Sequence, residues 1–150
     1  MWAALDAEFY LALAAGRPDC EGLIDEVNCG LILLPTAYQE IADLCFNTND
    51  EEIRTRSLDA LRFMSLYGVL AAPHPSKNLG MDDGLAKALI ESGVLHNEQK
   101  NAALILAEAA CEGVSYLLTL DPDIAGVKIS ELKRLIDLKD LNHFEIKTVS

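Results

Sequence analysis

Five short apolar runs, at residues 2–5, 31–34, 67–71, 115–120 and 144–149, alternate along the chain with stretches of helical periodicity. This alternation constrains the fold more than any other feature. Short apolar runs bounded by helical segments read as strands, and strands alternating with helices imply a parallel sheet covered on both faces. Between them, Asn49 reads as the cap of a helix, with Glu52 three residues on and Ile53, Ala60, Leu61 and Met64 at helical spacing. Asp82 or Asp83 can cap a helix carrying Leu85, Ala88 and Leu89 that stops at Gly93. Residues 98–112 form the clearest helical pattern, with Ile105, Leu106, Ala109 and Ala110 on one side and Gly113 just past the end. Ser130 reads as the cap of a last helix bearing Leu132, Leu135 and Ile136. No linker, repeat or low-complexity tract interrupts the pattern. The expected architecture is one α/β domain over residues 1–150, a three-layer α/β/α arrangement around a central, mostly parallel sheet of about five strands.

Composition and charge narrow the function. A chain of 150 residues, 51% hydrophobic, is long enough to bury a core. No uninterrupted apolar stretch reaches the roughly 18 residues of a membrane span. Near the N-terminus no basic residue precedes the apolar part, and Asp6 and Glu8 interrupt it, so the reading expects no signal peptide. Cys20, Cys29, Cys45 and Cys111 form no C-x-x-C pair, and Cys45 and Cys111 sit among alanines and leucines in helical patterns. Small buried thiols in a reducing cytoplasm are the expectation, not disulfides or zinc. His74, His96 and His143 show no ligand spacing and are expected at the surface. Twenty-four acidic residues against 12 basic ones give a formal charge of −12. Such a surface repels polyanions, so a nucleic-acid function would need bound cations or a basic partner.

In open parallel sheets, ligands bind beyond the carboxyl ends of the strands, where strand order reverses. Three acids fall there. Asp6 follows the first strand directly, Asp121 follows the fourth, and Glu40 lies on the helix after the second. That helix is expected to bury Ala37, Ile41 and Leu44, which puts Glu40 on the flank of its buried face. Carboxylates gathered without lysine or arginine raise one another's pKa unless a cation joins them. Oxygen-only ligands suit Mg²⁺ or Mn²⁺. Each acid also has an ordinary structural explanation. Asp6 can cap the helix that begins near Ala7, and Asp121-Pro122-Asp123 can be a turn.

These residues carry a resemblance. The chain resembles the PIN domain, a nuclease fold found in toxins of prokaryotic toxin–antitoxin pairs and in RNA-processing enzymes. The similar motifs are Leu5-Asp6-Ala7-Glu8 after the first strand, the run from Leu33 through Pro35 and Thr36 to Glu40-Ile41, and Thr119-Leu120-Asp121 with Asp123 following. The ending from Phe144 to Val149 is similar too. The resemblance implies metal-dependent hydrolysis of RNA phosphodiesters. Asp6, Glu40 and Asp121 would be the catalytic, metal-holding carboxylates, Asp123 and Glu98 further ligands, and Thr119 and Asn101 supports. It also implies RNA as substrate and an antitoxin-like or other protein as partner, with self-association compatible and no membrane role.

Two departures from the family stand out. The family starts its third helix with an aspartate about eleven residues before the glycine that precedes the fourth strand; counting back from Gly113 lands on Ala102. Asn101 is adjacent but rotated by about 100° on a helix. Glu98 lies one turn earlier on the stripe of Ala102, Ile105 and Ala109, as either a substitute ligand or a first-turn glutamate favoured by the helix dipole. The small polar residue expected at Glu8 is absent as well. The competing reading is therefore a catalytically degenerate PIN-like module that binds a protein. Other classes fit worse. Only 27 residues follow Asp123, too few for an aspartate-nucleophile phosphatase, and a phospho-receiver domain lacks its acidic pair and its lysine. No P-loop, G-x-S-x-G or H-E-x-x-H string occurs.

Overall fold

A computed structural model describes residues 1–72 and 81–149. His74, expected at the surface, lies outside the described residues, as do the side chains of Asp82 and Asp83 on which the expected cap depends. The elements in chain order are β1 (Trp2–Leu5), α1 (Ala7–Ala14), α2 (Pro18–Val27), β2 (Gly30–Leu33), α3 (Pro35–Phe46), α4 (Glu51–Arg62) and β3 (Val69–Ala71). They continue with α5 (Met81–Glu91), a 3₁₀ turn (Asn97–Gln99), α6 (Lys100–Glu112), β4 (Tyr116–Thr119), α7 (Pro122–Ala125), α8 (Ile129–Leu138) and β5 (Glu145–Thr148).

The strands form one five-stranded sheet in the order β3-β2-β1-β4-β5, and every neighbouring pair is parallel. From β1 the chain steps outward to β2 and β3. It then returns past β1 to β4 and continues to β5. Right-handed crossovers put the helices of the outward steps on one face and those of the return on the other. The packing agrees: α1 meets α2, α3 and α4, while α6 meets α5 and α7, and α5 meets α8; α3 and α6 are the pair that meet from the two sets. The result is the expected three-layer α/β/α arrangement. Its strand order reverses between β1 and β4, whose following connections leave toward opposite faces.

The core lies on both sides of that pair. Ala3, Ala4, Leu5, Leu117 and Leu118 are fully buried, and so are Leu33 of β2 and Leu34, Leu85, Leu89 and Leu106 around it. Burying a leucine side chain stabilises by about 2 kcal/mol, so the central strands anchor the sheet edge where the acids lie. Helix α6 is buried along most of its length, from Ala102 to Ala110, and ends at Gly113 with φ 71. Glycine suits that left-handed position because it has no Cβ to clash. Among the described residues, no helix is long and apolar enough to cross a membrane. None of the four cysteines is in a disulfide; Cys20 and Cys45 are buried and Cys29 and Cys111 partly so.

Several local expectations shift. Helix α4 is capped by Asp50, not Asn49: the Asp50 carboxylate accepts the N–H groups of Glu52 and Ile53 at 3.0 and 3.2 Å. Two adjacent Asx residues compete for one cap, and the second reaches the second and third helical amides. Helix α8 starts at Ile129 after Lys128, which gives no side-chain cap, so Ser130 lies inside its first turn. In α3 the buried positions are Ala37, Ile41 and Cys45, with Leu44 only partly buried, because the apolar stripe runs i, i+4, i+8. His96 and His143 are exposed as expected, His143 lying 2.6 Å from Asp137.

Candidate functional site

The site is built at the reversal between β1 and β4. Strand β1 ends at Leu5, and Asp6 turns the chain into α1 as its N-cap, with extended backbone (φ −86, ψ 175). One carboxylate oxygen, Oδ1, accepts the Phe9 N–H at 2.8 Å. The other, Oδ2, accepts a short hydrogen bond from the Thr119 hydroxyl. The Asp6 N–H extends the sheet by donating to the Leu118 carbonyl at 3.3 Å. Asp6 is only 4% exposed and Thr119 fully buried.

Thr119 also joins the two strand ends. Its Oγ1 accepts the Asp121 N–H at 2.9 Å while its hydroxyl hydrogen goes to Asp6. Asp121 in turn caps α7, its Oδ1 accepting the Asp123 N–H at 2.9 Å, with Pro122 at the first helical position. The ordinary reading of Asp6 and Asp121 as caps is therefore correct. It does not exclude the other reading, since a cap uses only one face of a carboxylate.

Glu40 comes from a helix of the layer that holds α1. It lies on α3 one turn after Thr36, half-buried, with the Asn101 amide of α6 facing its carboxylate closely enough to lower its pKa. Asp6, Glu8, Glu40 and Asp121 line one small cavity of about 20 Å³ together with Ala7, Asn101, Ala102, Ile105 and Ile124. That volume suits about one water or one ion. None of these lining residues is lysine or arginine. Larger hollows lie beside α3 (about 520 Å³) and between α5 and α6 (about 650 Å³), but neither brings two carboxylates together.

Electrostatics follow from this geometry. Burial pushes the Asp6 carboxyl from 3.8 up to about 6; the Thr119 and Phe9 hydrogen bonds oppose the rise, and Glu8 and Asp121 add to it. Burial also raises Glu40, from 4.5 to about 7, aided by the charge of Asp6 and opposed by the Asn101 bond. Glu8 is raised as well, first by desolvation and then by Asp121 and Asp123.

The residues named from the sequence thus separate. Asp6, Glu40, Asp121 and Asn101 line the cavity, and Thr119 stands behind Asp6. Asp123 is exposed, outside the lining, although its charge is felt at Glu8. Glu98 lies exposed on the 3₁₀ turn before α6 and outside the lining, because α6 begins only at Lys100. Asn101, although rotated by about 100° from Ala102, lines the cavity beside it, and its amide lies close enough to Glu40 to lower that carboxyl's pKa. Glu8 was missed as a site residue. Its signal was being an acid in the first turn after the Asp6 cap, at the same edge of the sheet.

Does this set suit the metal that the resemblance implies? The donors are carboxylate and amide oxygens with no competing cation in the lining, a hard set that fits Mg²⁺ or Mn²⁺. Among the described residues, no three His, Cys, Asp or Glu side chains already stand grouped as a ligand set, so the carboxylates would have to draw together around an ion.

Comparison with known proteins bears on the fold. No protein-family model matches the chain, and no curated protein does. Among solved structures, a chain of VapBC2 from Rickettsia felis, crystallised bound to a DNA fragment from their promoter, matches with a TM-score of 0.65. The match has 16% sequence identity and spans 99% of this chain and 98% of that one. At that identity the likeness concerns the fold, and the chain has the PIN-like fold.

Proposed function

We propose that the chain is a single PIN-like domain, residues 1–150, that hydrolyses RNA phosphodiesters with Mg²⁺ or Mn²⁺. The observation that carries this reading is the meeting of Asp6, Glu40 and Asp121 in one small, cation-free cavity where Asp6 and Glu40 are both pushed toward neutral pKa values. At neutral pH such a site must be held by protons or by a bound cation. Asp6, Asp121 and Glu40 would hold the ion, with Glu8 beside them and Asp123 at the margin. Bound there, it would activate water and offset the charge developing on a phosphate.

The chain's own groups prepare that chemistry. The Phe9 N–H and the Thr119 hydroxyl fix both oxygens of Asp6, and Thr119 also holds the Asp121 backbone. Asn101 steadies Glu40, which can accept a proton at its carboxylate from a water beside the phosphate. With a formal charge of −12, the protein would rely on the bound cation to bring RNA close. The likeness to a chain of VapBC2 favours an antitoxin-like protein as partner.

One observation favours the alternative, a degenerate module that binds a protein. Ala102 lines the cavity where the resemblance implies a carboxylate. Incubation of end-labelled single-stranded RNA with the purified protein and excess Mn²⁺ separates the two. Cleavage that EDTA, Asp6→Asn and Asp121→Asn each abolish supports the nuclease. Intact RNA under all conditions would leave the binding module.

A further inference from the structure

Glu108 is a second buried carboxylate, 5% exposed, and it lies outside the acid cavity. It projects from α6 to the first turn of α3, where its Oε1 accepts the Thr36 N–H at 2.9 Å and its Oε2 a short hydrogen bond from the Thr36 hydroxyl. Helix α3 needs such help. It starts Leu34-Pro35, and Leu34 makes no side-chain cap bond. The first amides of a helix lack intrahelical partners, and a carboxylate there is favoured by both hydrogen bonding and the helix dipole. Glu108 therefore does from another helix what a capping residue usually does from its own.

The spacing gives this contact a consequence. Glu40 lies four residues after Thr36, so the two share a face of α3. Asn101 lies seven residues before Glu108, two turns away on one face of α6. Two polar contacts thus join the same pair of helix faces, Glu108 to Thr36 and Asn101 to Glu40. We infer that Glu108 is a positioning residue: by capping α3 it fixes the register of α3 against α6 and so the place of Glu40 in the acid cavity. This rests on the metal-site reading for its consequence, but the clamp itself does not. Outer partners that orient ligands typically matter about 10–100-fold in metal affinity.

The test compares Glu108→Ala, Glu108→Gln and Thr36→Val with the native protein by amide hydrogen exchange, by the NMR shift of the Asn101 side-chain amide, and by Mn²⁺ titration. In Glu108→Ala, exchange of the Thr36 amide and the first turn of α3 should rise about tenfold or more while β1 and β4 stay protected. The Asn101 side-chain resonances should move, and Mn²⁺ affinity should fall about tenfold. Glu108→Gln keeps an acceptor for the Thr36 amide and should stay near native in all three. Should Glu108→Ala not fold, Thr36→Val carries the test, with a smaller shift of the Asn101 resonances and weaker Mn²⁺ binding expected. Native exchange and native Asn101 shifts in the folded variants would overturn the inference. So would equal losses in Gln and Ala, which would mean that charge, not position, matters. If the native protein itself ignores Mn²⁺, the metal reading fails, while exchange and the Asn101 shift still decide the clamp.

Discussion

Replacing Asp6 by Asn should stabilise the metal-free protein, and the gain should grow with pH. Asn caps helices as well as Asp does, so the bond from the Phe9 N–H is retained. What changes is charge. The folded-state pKa of about 6 lies above the ordinary 3.8, so the native protein binds this proton more tightly than the unfolded chain does. The stabilisation this provides is complete below about pH 4 and is lost as pH rises through 6. At pH 8 the ionised, buried carboxylate costs up to about 3 kcal/mol at 1.36 kcal/mol per tenfold. Relaxation and water entry reduce this to roughly 2 kcal/mol, or roughly 4–8 °C in melting temperature for a chain of this size. Thermal and urea denaturation in EDTA at pH 4, 6 and 8 measures it directly. The curves of the two proteins should nearly coincide at pH 4 and separate by pH 8, with Asp6→Asn higher. A variant less stable than native at pH 8, or a gap that does not change with pH, would refute the electrostatic argument.

Other expectations follow from the same cavity. Asp121→Asn should leave the fold intact, since Asn can still accept the Asp123 N–H, but should reduce the Mn²⁺-induced rise in melting temperature by half or more; an unchanged rise would return Asp121 to a plain cap. Ala102→Asp adds a carboxylate to the cavity wall, so it should destabilise the metal-free protein by about 1–2 kcal/mol and tighten Mn²⁺ binding about tenfold in calorimetry. Glu98→Gln, on an exposed turn outside the lining, should change Mn²⁺ affinity by less than about twofold; abolished binding would make Glu98 the substitute for the missing acid.

The sheet and the three acids were legible from sequence for a simple reason. Short apolar runs between stretches of helical periodicity read as strands, four of the five carry no charge, and Asp6 and Asp121 stand directly beyond two of them. Glu40 was legible because its place between Ala37 and Ile41 puts it beside a buried stripe. The rest depended on contacts between elements distant in the chain. Asn49 and Asp50 are equally good caps by composition, and only the turn geometry chooses the second. That Asn101 and Ala102 both line the cavity follows from a cavity spanning two neighbouring positions of α6, a helix buried on several sides. Glu108 looked like one more helix glutamate. Its partner Thr36 is 72 residues away, and no local pattern connects them.

The central claim is that these carboxylates form a divalent-cation site. Calorimetric titration of Mn²⁺ into the EDTA-stripped protein at pH 6 and pH 7.5, in two buffers of different ionisation enthalpy, tests it most directly. Ligands must shed protons to bind metal, so carboxyls near 6 and 7 require affinity to rise with pH and protons to leave on binding. The account predicts one saturable site, tighter at pH 7.5, releasing a larger fraction of a proton at pH 6 than at 7.5, and lost in Asp6→Asn. No saturable binding, or binding that Asp6→Asn and pH leave unchanged, would contradict it.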